Sequence, residues 1–226
     1  LSYFGEGLLF HINYVPLAMK EPEVIYDNRT VELLAFPLNH RVETFGFMIR
    51  EKAPAFNVKK EAIGKYGLSL SEIGALKRGE DVVRPAGPLT HACIENGFCP
   101  CSGTDEPLVI PNSEAAYVPF VPRSYAYCSD TAPFPELPEW VKGVSLLYHE
   151  STFPKDMADM AAKTFHSTTV QAAQCALEAG AGRLLVGHYS SRFHSVDFFL
   201  DELREIFPNT ELARDRTSYE IPLVRQ

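Results

Sequence analysis

The stretches Val144-Ser-Leu-Leu-Tyr-His-Glu150 and Arg183-Leu-Leu-Val-Gly-His188 decide the fold, because each is a short apolar run that ends in titratable residues. Apolar runs of this length are typical of buried strands. Tyr125-Ala-Tyr-Cys-Ser-Asp130 and Val31-Glu-Leu-Leu-Ala-Phe-Pro-Leu-Asn-His40 follow the same pattern. A lone histidine after a strand is usually a hydrogen-bonded loop residue. Reactive groups in layered α/β proteins, however, gather at the carboxyl ends of strands, so four such endings predict one shared site.

Helices are predicted between these strands. Thr168 has the features of an N-cap, Gln171 completes a capping box, and Gly180 follows the helix as its C-terminal stop. Ser195 is predicted to cap a second helix, which has one apolar stripe and is ended by Pro208. Strands that alternate with helices indicate an α/β layered domain.

The composition describes a globular chain of 226 residues with a net charge of −8. Its 46% hydrophobic and 22% charged residues distinguish it from disordered, collagen-like and coiled-coil sequences. No apolar run approaches the roughly 20 residues needed to cross a bilayer, so no membrane association is predicted. The five cysteines are odd in number and unevenly placed, which indicates reduced thiols and a cytoplasmic location.

The charge is unevenly distributed. Residues 50–84 contain eight cations and five anions, a balance of +3 on an otherwise acidic chain. Such a segment can bind a polyanion locally, although a solvated helical surface would have the same composition. Residues 85–122 are rich in Pro, Gly and Ser without a sustained period, and are predicted to form a long loop or insertion.

The residue types at the strand ends fit metal-assisted or acid–base chemistry. His40, Asp130 and His188 offer imidazole and carboxylate groups, which bind zinc and similar hydrolytic metals. His166 directly precedes the cap of the Ala-rich helix, where free backbone N–H groups would favour an anion such as phosphate. Glu150 can orient His166 as a proton donor to a leaving oxygen, and a buried structural hydrogen bond is the alternative.

Several longer motifs resemble ribonuclease Z, the family of tRNA 3′-processing endonucleases with the metallo-β-lactamase fold. The resemblance runs in order from about residue 31 to residue 213. The motifs that carry it are Pro37-Leu-Asn-His40 with Phe45-Gly-Phe47, Tyr127-Cys-Ser-Asp-Thr131, His149-Glu-Ser-Thr-Phe153, His166-Ser-Thr-Thr-Val-Gln-Ala-Ala173, Gly187-His-Tyr-Ser-Ser-Arg-Phe193 and Phe207-Pro-Asn-Thr-Glu-Leu-Ala213.

The resemblance implies an αβ/βα sandwich and a zinc-dependent endoribonuclease that removes the 3′ trailer from precursor tRNA. It places His40, Asp130 and His188 as ligands of two zinc ions, with Asp130 between them. It places Glu150 and His166 in proton delivery. It also implies a homodimer in which the arm of one subunit serves the site of the other.

The resemblance further implies a protruding arm that grips tRNA, inserted between two parts of the main domain. We expect residues 1–49 and 123–226 to form the metallo-β-lactamase-like domain and residues 50–122 to form the arm and its loops. The segment Leu76-Lys-Arg-Gly-Glu80 is similar to part of that arm, which makes Lys77 and Arg78 candidate tRNA contacts.

The sequence departs from the family in two respects. The family's His-x-His-x-Asp-His motif is absent, and the chain starts without Met, so we expect an N-terminal part of the fold to be missing. The stretch from Leu89 to Asp105 looks like an insertion. Its His91, Cys93, Cys99 and Cys101 can hold an additional zinc, although their spacing is not that of a standard finger.

Two other functions fit the same residues. One keeps the metallo-β-lactamase fold and changes the substrate to a small phosphodiester or thioester, against which the basic segment and the His-Ser-Thr motif argue. The other is a non-catalytic tRNA-binding fragment, which the missing motif would favour. Upstream sequence would separate these hypotheses.

Overall fold

A seven-stranded mixed sheet is the centre of the computed structural model, which describes residues 13–88 and 101–225. In spatial order its strands are β1 (Glu23–Asp27), β2 (Val31–Pro37), β3 (Phe45–Glu51), β8 (Ser124–Cys128), β9 (Leu146–Glu150), β10 (Leu184–Gly187) and β11 (Thr210–Leu212). The first four are paired antiparallel, and β8 to β11 are parallel. Strands β2, β8, β9 and β10 therefore all end at the same edge of the sheet.

Helices cover one face of this sheet and enclose the main core. They are α4 (Leu137–Trp140), α6 (Thr169–Ala179) and α7 (Phe199–Ile206). A 3₁₀ turn over Lys155–Met157 and the helix α5 (Ala158–Thr164) precede α6 in the chain. Alternate strand residues such as Phe36, Met48 and Leu147 pack against buried alanines of α6, including Ala172 and Ala176. Because alanine side chains are small, α6 lies close to the sheet and fixes the segment before it, which contains His166.

The opposite face of the sheet is apolar and partly open. Ile49 and Tyr127 lie on it and are 46% and 37% exposed. Tyr127 stacks on Tyr148, with ring centroids 4.8 Å apart. A Cβ atom at Gly187 would overlap the Tyr148 hydroxyl, so this close approach requires glycine.

Residues 50–122 carry a second, smaller core. Its elements are β4 (Asn57–Val58), α1 (Lys60–Tyr66), α2 (Leu70–Lys77), β5 (Val82–Arg84), β6 (Leu108–Ile110), α3 (Asn112–Ala115) and β7 (Ala116–Tyr117). Strand β4 pairs with β7, and β5 pairs with β6. The buried apolar residues of this core form a cluster separate from that of the main core.

A buried ion pair braces the smaller core. Arg84 donates to both carboxylate oxygens of Glu72, at 2.8 and 3.1 Å. Burial by itself would raise the pKa of Glu72, but hydrogen bonds from Arg84 and Ser69 outweigh it and lower that pKa. Ser69 and Glu72 also form a capping box at the start of α2. The positive charge of Arg84 is therefore paired with Glu72 inside the smaller core.

The predicted loop over residues 85–122 is partly wrong, because β6, α3 and β7 lie within it. These elements have only two to four residues each, too few to show a period. Distant contacts hold them: the Asn112 side chain donates to the Leu76 carbonyl, and its backbone N–H donates to Asp81. The predicted zinc ligands His91, Cys93 and Cys99 lie outside the described residues, whereas the Cys101 thiol donates to the Pro88 carbonyl at 3.0 Å.

One predicted cap is confirmed and one is wrong. Thr168 and Gln171 form the capping box of α6, and Gly180 ends that helix in a left-handed conformation. The helix assigned to Ser195 begins only at Phe199. The Ser195 hydroxyl instead bonds to Asp197 and stabilises a local turn, which competes with helix formation. In the described part of the chain, no helix is both long enough and apolar enough to cross a bilayer.

Candidate active site

The polar edge of the sheet brings the five predicted site residues together. His40 follows β2, Asp130 follows β8, and His188 directly follows β10. Glu150 is the last residue of β9, and His166 lies between α5 and α6. Since the four strands end at one edge, residues that are far apart in sequence become neighbours there.

Asp130 lies between two of the histidines. Its Oδ1 is 3.1 Å from His188 Nε2, and its Oδ2 is 4.0 Å from His40 Nε2. The His166 ring lies beside both of these histidine rings. It is tilted against His40, with ring centroids 5.1 Å apart, and stacked on His188, with ring centroids 5.2 Å apart. Asp130, His166 and His188 each offer a ligand atom within 4.8 Å of the other two.

Each imidazole has one nitrogen occupied by a neighbour. Nδ1 of His40 lies 2.9 Å from the Phe165 carbonyl oxygen, and Nδ1 of His166 lies 2.7 Å from Glu150 Oε1. Nδ1 of His188 lies 3.0 Å from the Thr152 hydroxyl. Carbonyl and carboxylate oxygens only accept, so His40 and His166 donate from Nδ1 and keep the Nε2 lone pair free. Histidines that bind metals are commonly held in this way, so the donor set fits zinc.

Two of the positioning segments have left-handed backbone. Phe165, the C-cap of α5, and His188 both have φ of 60° although neither is glycine. Side chains disfavour this conformation, and residues held in it cluster at functional sites. At Phe165 the conformation accompanies the carbonyl contact to His40; at His188 it accompanies the turn that follows β10.

The Glu150 carboxylate is fully buried and saturated with donors. Oε1 accepts from His166 Nδ1 and from the Thr131 backbone N–H at 2.9 Å. Oε2 accepts from the Thr152 backbone N–H at 3.1 Å and from the Thr152 hydroxyl at 2.7 Å. With four donors on two oxygens, Glu150 has no free lone pair for a substrate. The geometry makes it a residue that orients His166.

Three of the backbone N–H groups that were expected to be free at the start of α6 are already used. The Thr168 N–H donates to the Gln171 side chain, and the Gln171 N–H donates back to the Thr168 hydroxyl. The Thr169 N–H donates to the Phe153 carbonyl at 2.9 Å. These groups are therefore satisfied within the protein and are not available to bind phosphate.

Three groups that help to position the site residues were not predicted from the sequence. Thr131 and Thr152 follow Asp130 and Glu150 by one and two residues, so their proximity in sequence was a usable signal. Thr131 also accepts from the Asn39 N–H, which ties the His40 loop to the Asp130 loop. The Phe165 carbonyl left no signal, since every residue has one.

His149 points away from this cluster into the helix-covered face of the sheet, where Cys128 and Val186 of the main core pair with it in register. It is 1% exposed, and its Nδ1 donates to the Glu150 carbonyl at 2.7 Å. Burial lowers the pKa of His149 below its usual 6.5. Below pH 6.5 the unfolded chain therefore binds a proton that the folded chain does not, and the free energy of unfolding falls as the pH falls.

The replacement His149→Asn should reduce this pH dependence, because the Asn amide can still donate to the Glu150 carbonyl but does not titrate. Between pH 6.5 and 5 the wild-type free energy of unfolding should fall more steeply than that of the variant, by up to about 1.4 kcal/mol per pH unit. Urea unfolding followed by circular dichroism across this range measures both slopes. Parallel slopes would show that His149 is protonated equally in both states.

Comparison with known proteins agrees with this architecture. No family model matches the chain. A ribonuclease Z from Phocaeicola vulgatus is 32% identical over 225 residues, which is 100% of this chain and 66% of that protein. A ribonuclease Z from Cytophaga hutchinsonii is 39% identical over 219 residues, which is 97% of this chain and 64% of that protein. The chain thus spans a little less than two thirds of the length of such relatives.

A solved structure supports the fold. The metallo-β-lactamase fold protein YhfI from Bacillus subtilis superimposes with a TM-score of 0.50 at 14% identity, over 88% of this chain and 52% of that protein. At this identity the likeness concerns the fold alone. Since the curated relatives match along nearly the whole of this sequence, the chain belongs to the ribonuclease Z family and has the metallo-β-lactamase fold.

Proposed function

We propose that this chain carries the metal-binding and proton-donating residues of an endoribonuclease that removes the 3′ trailer from precursor tRNA. The observation that carries the proposal is the Glu150–His166 hydrogen bond beside Asp130, His188 and His40. A structural hydrogen bond alone would not require three imidazoles and a carboxylate at one sheet edge. Family membership makes tRNA the substrate to test first.

His40, Asp130 and His188 would hold the metal, for which zinc is the first choice on ligand type. A bound metal ion would polarise the phosphodiester and activate the attacking water. Three residues are few ligands for two ions, so a two-zinc site would need ligands beyond this set. The side chain of Asp130 has one oxygen toward each neighbouring histidine, which suits a position between two ions.

His166 would protonate the leaving oxygen. Glu150 holds the Nδ1 proton of its ring, so His166 would act in its doubly protonated form and deliver the second proton from Nε2, at the side of the ring away from Glu150. His166 is 15% exposed at its side chain and Glu150 is 0% exposed. In this proposal the more exposed His166 faces the substrate, and its orienting carboxylate lies behind it.

The direct test is cleavage of a precursor tRNA by the complete gene product. With zinc present, we expect one cut at the junction between the tRNA and its trailer, and a chelator should abolish the cut. A precursor without a folded tRNA body serves as the control and should be cut far more slowly. Equal cutting of both RNAs, or hydrolysis of small phosphodiesters only, would replace this function by a general phosphodiesterase.

The smaller core would bind tRNA through its lysines. Lys59, Lys60 and Lys77 line one cleft of about 560 Å³ together with Tyr117. Arg78 is different, because its guanidinium forms two hydrogen bonds with Glu80, at 2.7 and 2.8 Å. Arg78 in turn lowers the pKa of Glu80. Among the described residues Lys77 forms no ion pair, so we place the stronger phosphate contact there.

Lys77→Ala should therefore flatten the salt dependence of tRNA binding by about one unit of slope, as expected for one lost phosphate contact. Arg78→Ala should have a smaller effect, because Glu80 already offsets its charge. Filter binding at several salt concentrations measures both variants. Hydrolysis of a small phosphodiester is the control and should be unchanged; equal loss on both substrates would mean that this segment stabilises the fold.

The oligomeric state and the location of the protein belong to the same proposal. We propose a homodimer in which the smaller core of one subunit binds the tRNA that is cut at the site of the other, and a cytoplasmic location. Mixing a Lys77→Ala subunit with a His166→Ala subunit tests the first. Activity recovered only in the mixture supports exchange between subunits, and unchanged low activity opposes it.

A further inference from the structure

We propose that Thr152 is a positioning residue that joins His188 to the Glu150–His166 pair through one continuous hydrogen-bond chain. The inference rests on the proposed function for its catalytic consequence, but its geometric part stands alone. It assigns a role to a side chain that neither binds a metal nor touches a substrate.

The Thr152 hydroxyl oxygen lies between the two groups that it would connect. It is 3.0 Å from His188 Nδ1 and 2.7 Å from Glu150 Oε2. On the other side of Glu150, Oε1 is 2.7 Å from His166 Nδ1. The hydrogen bonds therefore run without a gap from His188 through Thr152 and Glu150 to His166.

The direction of each bond follows from the donor inventory. A carboxylate only accepts, so the single hydroxyl proton of Thr152 points to Glu150 Oε2. The His188 carbonyl, at 2.9 Å, is a longer and uncharged alternative for that proton. With its proton used, the hydroxyl oxygen can only accept from His188, so Nδ1 of His188 carries hydrogen. Nε2 of His188 then faces Oδ1 of Asp130 at 3.1 Å and is the ring nitrogen that a metal could bind.

The surroundings hold Thr152 rigidly. It is 5% exposed. Its backbone N–H donates to the Ser167 carbonyl at 3.1 Å, and its carbonyl accepts from the Ser190 N–H at 3.2 Å. These bonds tie it to the residue after His166 and to the loop after His188. Thr152 thus fixes both imidazoles through main chain and side chain, so that each presents Nε2 to the cluster.

Thr152→Val removes the hydroxyl at nearly constant volume, and Thr152→Ser keeps it. In the metal-free complete gene product, ¹⁵N spectra of the imidazoles should show a proton on Nδ1 of His188 for wild type and Thr152→Ser. In Thr152→Val that proton loses its acceptor, so the Nδ1 resonance of His188 should shift. Thr210→Val is the matched control, since Thr210 is also buried but donates to the Phe207 carbonyl far from the site.

Zinc affinity should fall about 10–100-fold in Thr152→Val and remain near wild type in Thr152→Ser and Thr210→Val. On precursor tRNA, Thr152→Val should lower kcat with little change in KM, because the tRNA contacts lie elsewhere. A wild-type protein that neither binds zinc nor cuts RNA would overturn the proposed function, whereas the spectra would still decide the role of Thr152.

Unchanged His188 spectra in Thr152→Val would overturn the inference, as would an equal loss of zinc affinity in Thr210→Val. If Thr152→Val does not fold, the wild-type spectrum decides. A proton on Nδ1 of His188 supports the hydrogen-bond chain, and an Nδ1 without a proton contradicts it.

Discussion

His166→Ala should lower kcat on precursor tRNA by about 10²–10⁴-fold, the usual effect of losing a general acid. The imidazole is held by Glu150 at 2.7 Å and lies at the edge where the leaving oxygen would emerge. Single-turnover cleavage by the complete gene product measures the effect. A substrate with an activated leaving group should be much less sensitive, because that group departs without a proton.

The metal content of the same variant is the decisive control. His166 lies close enough to Asp130 and His188 to be a ligand itself. If it delivers a proton, zinc binding should be almost unchanged in His166→Ala. If zinc is lost together with activity, His166 is a ligand or a structural support, and the assignment as proton donor is wrong.

Asp130→Asn should weaken zinc binding by more than about 100-fold and abolish metal-dependent cleavage. Removing a residue that only hydrogen-bonds to a metal ligand typically lowers metal affinity about 10–100-fold. Removing a ligand that faces two histidines should lower it further. The amide keeps the size of the side chain while removing its charge. Isothermal titration with zinc and a cleavage assay measure the two effects.

Asp197→Asn is the matched control for Asp130, since Asp197 is exposed and pairs with Arg214 on the surface. It should leave zinc affinity and cleavage unchanged, in line with the small energies of exposed ion pairs. Wild-type zinc affinity in Asp130→Asn would show that the metal, if any, binds elsewhere.

The parts of the fold that the sequence predicts are those with local causes. The strand before His188 is an apolar run, and the capping box of Thr168 and Gln171 lies within four residues. Each titratable residue that follows such a strand could be placed at the sheet edge, because parallel strands end together. Their convergence needed no knowledge of distant contacts.

The parts that escaped depend on partners far away in sequence. Strand β6 has three residues and exists because it pairs with β5. The start of α6 looked open to an anion, but the Phe153 carbonyl, from the loop after β9, takes the Thr169 N–H. Ser195 has a hydroxyl that could cap a helix, but this hydroxyl accepts from the Asp197 N–H in a local turn instead. Local patterns cannot rank such competing acceptors.

In the proposed mechanism, the edge formed by Asp130, His188 and His40 holds the catalytic metal. Crystals of the complete gene product grown with zinc can be measured by anomalous diffraction at the zinc absorption edge. If the metal binds at this edge, an anomalous peak should lie about 2.0–2.2 Å from a carboxylate oxygen of Asp130 and from Nε2 of His188. A protein that cuts precursor tRNA with its zinc elsewhere, and no peak at this edge, would contradict it.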